Sequence, residues 1–354
     1  MKLEYLEKLD GAMRVEWDTF IYESKNQHPR QFPLFADIEK AEGRHPCFVI
    51  GTENERICAA ALVSRIPHKL LMGKYSYATI LSGPICDDTE KLREFLTCLI
   101  NERVFNNAGR IFVSPYWLAS DAEKAQKILA EIGFKSAEKS SLRKTGLVDL
   151  KRSEQEILAS FSKSARREVR RAERMNVTVT AVSRKEEYVA FLKILNQMRK
   201  LRNLSVLDES TMGFSFDHFY KHGNHGVVLC AWHDNILLAG LQIYRSKDMA
   251  HGRHFAGDND KLKDLKNLRI SPLLWFEGMK WAKDSGCSQF DLEGYNANIS
   301  KGDSRYFIYK YKGEFSPQEI SRVAEHYIVI NPIYDFPGDI VPKLKVRVKR
   351  ILNK

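Results

Sequence analysis

Two carboxylates precede a run of cations and aromatics between Gln289 and Pro317, and side chains of these types can carry acyl-group chemistry. Asp291 and Glu293 alternate with apolar residues, as on a strand with one buried face, and Gly294 ends the alternation. On such a strand the two carboxylates would lie about 7 Å apart on one face. A second interpretation is equally open, in which Asp291 accepts hydrogen bonds from loop N–H groups and the aromatics belong to the core. The run of cations and aromatics comprises Arg305, Tyr306, Phe307, Tyr309, Lys310, Tyr311 and Lys312.

The order of these residues resembles the end of the second domain of the Fem aminoacyltransferases. The shared order is aspartate, an apolar residue, glutamate and glycine, followed after a loop by an aromatic–lysine pair and Gly-Glu. This FemABX-like, peptidoglycan bridge-forming family belongs to the GNAT superfamily of acyltransferases. The family's aromatic–lysine pair aligns best with Tyr309 and Lys310, and a shift of two positions gives Tyr311 and Lys312 instead.

The resemblance assigns roles to several of these side chains. A lysine at the ester carbonyl would stabilise the tetrahedral oxyanion, for which Lys310 is the first choice and Lys312 the alternative. Both lysines could instead be surface charges on one face of a strand. Glu293 lies nearer the loop and should shape the site, whereas Asp291 lies deeper and should be mainly structural. The expected catalytic residues are Lys310, Glu293 and Tyr309, and the expected substrate-binding residues of this segment are Asp291, Arg305 and Lys312.

A second basic segment follows the middle of the chain. Ser153 and Glu156 form a capping box that predicts a helix over 154–175, with one apolar stripe and an opposite face of lysine and arginine. The pattern K-x-x-R-x-x-V-R-R-A resembles the segment that opens the second Fem domain. The basic face is either a solvated surface or a site for phosphate groups. The residues expected to contact phosphates are Lys163, Arg166 and Arg170.

Length and composition predict a folded protein of two domains. The chain has 354 residues, with 44% hydrophobic and 29% charged residues, so we expect domain 1 at 1–150 and domain 2 at 151–354. The resemblance suggests that the segment after about 318 returns to the first domain. No apolar signal segment follows Met1 and no run of eighteen apolar residues occurs, so we expect a cytoplasmic protein.

Charge and cysteine content narrow the classes of partner. The six cysteines include no C-x-x-C pair, so neither a zinc site nor a disulfide framework is expected. A net charge of +11 favours an anionic partner: nucleic acid, a phosphorylated substrate or an anionic membrane surface. The basic segment 341–354 could form an amphipathic helix on the inner face of the membrane, or be a solvated tail.

The remaining order of elements fits two α/β units. An early Trp17-Asp-x-Phe and Gly83-Pro84 just past a strand resemble the first Fem domain, although Ser114 stands where relatives often carry an acid. From 227 onwards a hairpin, a strand, a loop, a helix and a strand follow, as in a GNAT acyltransferase. We therefore predict two tandem GNAT-like domains with mixed, mostly antiparallel sheets flanked by helices.

Other site signatures are incomplete. Asp258 and Asp260 begin like a calcium loop without its later ligands, and His251 and His254 lack further metal ligands at helical spacing. The segment GFSFD at 213–217 misses the second glycine of a nucleophile elbow. No metal site is expected.

These features lead to one main function and two alternatives. The resemblance implies transfer of an aminoacyl group from aminoacyl-tRNA, with no cofactor, to an amine of a peptidoglycan precursor. An N-acyltransferase that uses acyl-CoA in envelope polysaccharide or lipid assembly is the first alternative. The loop KDLKNLRIS disfavours it, because the coenzyme A pyrophosphate loop of that fold is glycine-rich. A non-catalytic protein that binds RNA or a membrane is the second alternative.

Overall fold

Alternating apolar strands and amphipathic helices fold into two units in the computed structural model. It describes residues 1–68, 71, 73–138, 140, 142–204, 206–209, 216 and 225–335. The first unit contains Met1–Leu142 and the chain from Val323 onwards, and the second contains Arg143–Arg322. The sequence-based boundary at 150 thus lies inside the second unit, and the segment from Val323 belongs to the first. Segment 341–354 and most of GFSFD lie outside the described residues.

The first unit is built around a seven-stranded sheet in the order β1-β2-β3-β4-β5-β14-β6. Neighbouring strands are antiparallel except β4 and β5, which are parallel and connected through α3. Its described elements are β1 (Lys2–Leu6), α1 (Gly11–Glu23), α2 (Leu34–Ala41), β2 (His45–Glu53), β3 (Arg56–Pro67), β4 (Tyr75–Leu81), α3 (Thr89–Asn101), β5 (Ala108–Ser114), α4 (Ala119–Glu131), β6 (Lys135–Ser136) and β14 (His326–Val329).

The second unit repeats this plan in the order β8-β9-β10-β11-β12-β7-β13. β11 and β12 pair parallel and are connected through α8 and α9, and β7 pairs antiparallel with β12. The described elements are β7 (Leu142–Asp149), α5 (Glu154–Ser160), α6 (Lys163–Arg174), β8 (Thr178–Ala181), α7 (Lys185–Leu201), β9 (Gly226–His233), β10 (Ile236–Arg245), β11 (Met249–Gly257), α8 (Asn259–Asp264), α9 (Ser271–Asp284), β12 (Gln289–Asp291), α10 (Tyr306–Gly313) and β13 (Gln318–Val323).

Both sheets are mixed, mostly antiparallel and flanked by helices, so the predicted fold class is confirmed. Each unit has its own buried apolar core, around Phe95 in the first and around Phe290 in the second. No helix in the described part of the chain is long and apolar enough to cross a membrane.

The strand that completes the first sheet comes from the end of the described chain. β14 lies between β5 and β6, with His326 opposite Val113. Arg110 binds the carboxylate of Asp335 and places its guanidinium 4.9 Å from the ring centroid of Tyr327. These contacts hold the segment from Val323 to Asp335 in the first unit.

β11 continues beyond the end of its short parallel partner β12. Their pairing ends at His251 and Asp291, whereas β11 remains paired with β10 as far as Gly257. After Asp291 the chain is no longer paired with β11, although Leu292 N still donates to Gly146 O on β7. Glu293 has a left-handed backbone with φ of 60°. A non-glycine residue in this region costs about 1–3 kcal/mol, and such strain is concentrated at functional sites.

The predicted helix over 154–175 is two helices, which corrects the sequence-based expectation. The Ser153–Glu156 capping box begins α5 as expected, but α5 ends at Ser160. Phe161 is buried in the core, and the hydroxyl of Ser162 accepts a hydrogen bond from the N–H of Ala165 to begin α6. Periodicity alone hid the break because the apolar stripe runs through both helices.

Gly252, the residue of β11 just past the end of its pairing with β12, is required by packing. A Cβ at this position would lie 2.3 Å from Cζ3 of Trp275, so Gly252→Ala must displace the indole. We expect the substitution to lower the free energy of unfolding by about 1–3 kcal/mol in urea denaturation. Gly302→Ala is the matched control, because a Cβ there meets no heavy atom within 4 Å. Equal stability of the two variants would contradict the assigned packing.

Candidate active site

The carboxylate of Asp291 organises the turn at the end of β12. Asp291 is 0% exposed. Its Oδ1 accepts hydrogen bonds from the hydroxyl of Thr145 on β7 at 2.5 Å and from the backbone N–H of Glu293 at 2.7 Å. A buried carboxylate needs such donors, and the bond to Glu293 N closes a local turn. These contacts match the interpretation in which Asp291 accepts hydrogen bonds from N–H groups of the loop.

Glu293 lies among charged and polar side chains from three strands. Its carboxylate is 3.8 Å from Nδ1 of His251 on β11 and 3.6 Å from the guanidinium of Arg322 on β13. The same His251 nitrogen is 3.7 Å from Asp291 Oδ2. The Glu293 side chain is 27% exposed, so it is the accessible carboxylate of the pair. Glu293 is not on the strand with Asp291, because β12 ends two residues earlier.

The run from Tyr306 to Gly313 is the helix α10, which separates the two candidate lysines. Residues two positions apart on a helix point about 200° apart, whereas on a strand they would share a face. Lys310 is exposed, with its ammonium 6.0 Å from the ring centroid of Tyr306. Lys312 is half-buried, and its Nζ donates hydrogen bonds to the carbonyls of Glu293 at 2.7 Å and Gly294 at 3.0 Å. The structure therefore brings Lys312, and not Lys310, to the turn after β12.

Burial lowers the pKa of the Lys312 ammonium, and the carboxylates of Glu293 and Asp291 oppose this effect. Desolvation disfavours the charged amine, while nearby negative charge favours it. Lys312 is therefore a group whose protonation can change at a lower pH than that of an ordinary lysine.

The two other predicted residues of this segment are in contact with neighbouring side chains. Arg305 binds Asp303 through two side-chain hydrogen bonds and lies 5.6 Å from the ring centroid of Tyr309. Tyr309 forms an edge contact with Tyr295, at 6.3 Å between ring centroids. A Cβ on Gly294 would lie 3.5 Å from the Tyr309 hydroxyl, so Tyr309 lies against the same turn as Lys312.

The predicted phosphate-binding residues lie apart from this turn, on α6. The Arg166 guanidinium donates to the carbonyl of Ala159, at 2.8 Å, and to that of Phe161, so it caps the end of α5. Lys163 and Arg170 are exposed. They line a cleft of about 670 Å³ together with Ser164, Arg166, Arg167 and Arg174.

In the loop before α9, where a GNAT acyltransferase would hold a pyrophosphate, charged side chains of the chain itself bind backbone groups. The buried carboxylate of Glu168 accepts a hydrogen bond from the backbone N–H of Arg269. Arg171 donates to the carbonyls of Leu265 and Lys266, and Lys266 has a φ of 56° in place of a glycine. A carboxylate at this position repels phosphate, which is a physical reason against a pyrophosphate here.

Sequence reasoning missed three side chains of this cluster: Thr145, His251 and Arg322. The sequence shows only that His251 lacks further metal ligands at helical spacing. Its position beside the carboxylates follows from the parallel pairing of β11 with β12. That pairing connects residues 40 positions apart, His251 with Asp291, and no local pattern signals it. Carboxylates and imidazole can bind metal ions, but Lys312 and Arg322 supply positive charge to the same carboxylates.

Comparisons with known proteins agree with this architecture. A model of the FemAB family matches residues 13–210, and a model of an acetyltransferase (GNAT) domain matches residues 159–311. The crystal structure of FemX is similar, with 16% identity and a TM-score of 0.77 over 94% of this chain and 99% of that chain.

Two further solved structures share the fold at lower similarity. L-PGS from Bacillus licheniformis has 12% identity and a TM-score of 0.54 over 99% of this chain and 98% of that chain. A tandem GNAT protein from the clavulanic acid biosynthesis pathway has 10% identity and a TM-score of 0.52 over 94% of this chain and 99% of that chain. No curated protein matches the chain. These structures confirm the predicted tandem GNAT-like fold.

The contribution of the hydrogen bond from Thr145 to Asp291 to the free energy of unfolding can be tested by substitution. Thr145→Val keeps the side-chain shape but leaves a fully buried carboxylate oxygen with one donor fewer. We expect the free energy of unfolding to fall by about 1–3 kcal/mol in chemical denaturation. Thr178→Val, on the exposed part of β8, should change it by less than about 0.5 kcal/mol. Unchanged stability of Thr145→Val would remove the assigned role of this bond.

Proposed function

The chain belongs to the FemAB family, as its motifs predicted, and is an acyltransferase; we propose that it transfers an aminoacyl group from aminoacyl-tRNA to an amine of a peptidoglycan precursor. The observation that carries the proposal is the position of Lys312. Its ammonium donates to two carbonyls of the turn that follows β12, beside the carboxylate of Glu293.

Lys312 is the residue we assign to the oxyanion. An ammonium has three N–H groups, and two of those on Lys312 have carbonyl acceptors. The third can donate to the oxygen that becomes negative when the amine attacks the ester carbonyl. The two carbonyls fix the direction of this third donor, so little reorganisation is needed during the reaction.

Glu293 is the residue we assign to proton transfer. The attacking amine forms a C–N bond, the ester C–O bond to the ribose breaks, and one proton must pass from the amine to the leaving oxygen. Glu293 is the accessible carboxylate beside Lys312, whereas Asp291 is fully buried. We therefore propose that Glu293 accepts this proton and returns it to the leaving group. His251 and Arg322 position its carboxylate.

The loop before α9 supports an RNA donor over acyl-CoA. Glu168 accepts a hydrogen bond from one backbone N–H of this loop, and the loop contains no glycine. An ester of tRNA needs no pyrophosphate site.

A matrix of donors and acceptors tests the proposal directly. Labelled aminoacyl-tRNA and acetyl-CoA are each incubated with nucleotide-linked and lipid-linked peptidoglycan precursors, and labelled product is measured. We expect product with aminoacyl-tRNA and one of the precursors. If product forms with acetyl-CoA and not with aminoacyl-tRNA, the proposed donor is wrong.

The two lysines of α10 give a matched pair of variants. Lys312→Ala removes the assigned oxyanion donor and should lower kcat by about 100- to 1000-fold. Lys310→Ala removes an equal charge from the exposed side of the same helix and should leave kcat within about twofold. Thermal unfolding of both variants controls for misfolding. Loss of turnover in Lys310→Ala, with Lys312→Ala active, would return the role to Lys310.

The lowered pKa of Lys312 predicts a specific pH profile. Only the protonated amine donates a third N–H, so kcat should fall as the pH rises through the Lys312 pKa, which lies below its ordinary value of 10.5. The Asp291 carboxylate raises this pKa, and Asp291→Asn should therefore move the fall to lower pH.

Glu173→Gln, which removes an exposed carboxylate from α6, is the control for this profile and should leave it unchanged. A rate that increases through the same pH range would instead make neutral Lys312 a base. If Asp291→Asn does not shift the pH profile, the fall in kcat does not report the ionisation of Lys312.

A further inference from the structure

The exposed face of α6 carries a single row of cations. At 100° per residue, Lys163, Arg167, Arg170 and Arg174 lie within about 60° of one another around the helix axis. All four are exposed. The row is about 16 Å long, from the 1.5 Å rise per residue.

The other two sides of α6 contact the rest of the second unit. Ala165, Val169 and Ala172 are buried in the core of the second unit. Glu168 and Arg171 bind the loop at 265–269, so the helix is fixed against the body of that unit.

Few acidic groups of the protein lie close to these four cations. Within the part of the chain that the structure describes, no ion pair is assigned to Lys163, Arg170 or Arg174, and Arg167 has only a 3.4 Å contact with Glu168. The first turn of α6 contains no acid. Lys163 lies in this first turn, where the helix dipole disfavours a cation and favours a bound anion, whereas Arg174 lies in the last turn, where the dipole favours a cation.

The length and chemistry of the row identify the kind of anion. Steps of three and four residues place the charges about 5–6 Å apart, and four of them exceed the reach of one diphosphate group. A run of phosphodiesters presents charges over the whole length. A helix lying on a membrane buries an apolar face in the lipid, whereas the apolar face of α6 is in the protein core.

We propose that Lys163, Arg167, Arg170 and Arg174 bind the phosphodiester backbone of the RNA donor, which rests on the proposed function. Lysine and arginine contacts to phosphates bind RNA by charge and shape and carry no base sequence information. The row therefore anchors the body of the RNA, and the ester end is left to the turn that holds Lys312. Arg166 is excluded from the row because it caps α5.

Salt-dependent RNA binding tests this surface without requiring turnover. Affinity for unacylated tRNA is measured between about 50 and 200 mM salt for wild type and for the triple variant Arg167→Gln, Arg170→Gln and Arg174→Gln. We expect the triple variant to lower the slope of log K against log salt by about 2 to 3 and the affinity by about 10- to 100-fold. The control is Lys193→Gln, Lys200→Gln and Arg202→Gln, which removes three exposed cations of the α7 region.

Several outcomes would overturn the proposal. Overlapping slopes for the two triple variants would show that net charge alone attracts tRNA. Loss of UDP binding with unchanged tRNA binding would assign the row to a nucleotide diphosphate. Loss of sedimentation with phosphatidylglycerol vesicles, again with unchanged tRNA binding, would assign it to a membrane.

The design separates this surface from the proposed reaction. If the slope changes as expected but wild-type enzyme transfers nothing from aminoacyl-tRNA, the RNA surface stands and the assigned donor falls. If transfer proceeds with equal KM for aminoacyl-tRNA in wild type and in the α6 triple variant, the reaction stands and the surface is rejected.

Discussion

The need to satisfy one buried carboxylate determines the geometry of the site. Asp291 has no exposed surface and receives donors from Thr145 and from the backbone of Glu293. The second donor forces the chain to turn at once, which places Glu293 in a left-handed conformation and directs two consecutive carbonyls toward Lys312. The charge on Asp291 also raises the pKa of that lysine against the effect of burial. One side chain thus influences both the shape and the electrostatics of the turn.

The sequence was most informative where chemistry and local pattern coincide. Asp291 and Glu293 could be recognised from alternation and from the family order, and the capping box of Ser153 and Glu156 located the start of α5. The lysine register could not be resolved, because aromatics and cations alternate from Tyr309 to Lys312 as they would on a strand. Only its helical geometry separates Lys310 from Lys312. His251 and Arg322 could not be found locally, because strand pairing brings them to Glu293.

The two units share a plan that leaves no readable repeat in the sequence. In each sheet, four consecutive antiparallel strands are followed by a parallel strand, then by one strand from elsewhere in the chain (β14 or β7) and by the next strand in sequence (β6 or β13). A strand needs only an apolar face, so different residues satisfy the same order. The parallel pair β4 and β5 has six paired residues on each strand, whereas β11 and β12 have only three because β12 ends at Asp291. The fold could therefore be predicted from element order, whereas the end of β12 at Asp291, which places the turn of the site, could not.

The position of β14 has a consequence for synthesis on the ribosome. The second unit is one continuous stretch, Arg143–Arg322, whereas the first sheet lacks the strand between β5 and β6 until the chain from Val323 has been made. The pairing of Val113 with His326 closes a loop of more than two hundred residues, and such closure carries a large entropic cost that slows folding. Domains of most proteins fold in the order of their translation. Here the later unit has all of its strands first, and the nascent N-terminal unit must keep an incomplete sheet from aggregating until the last segment emerges.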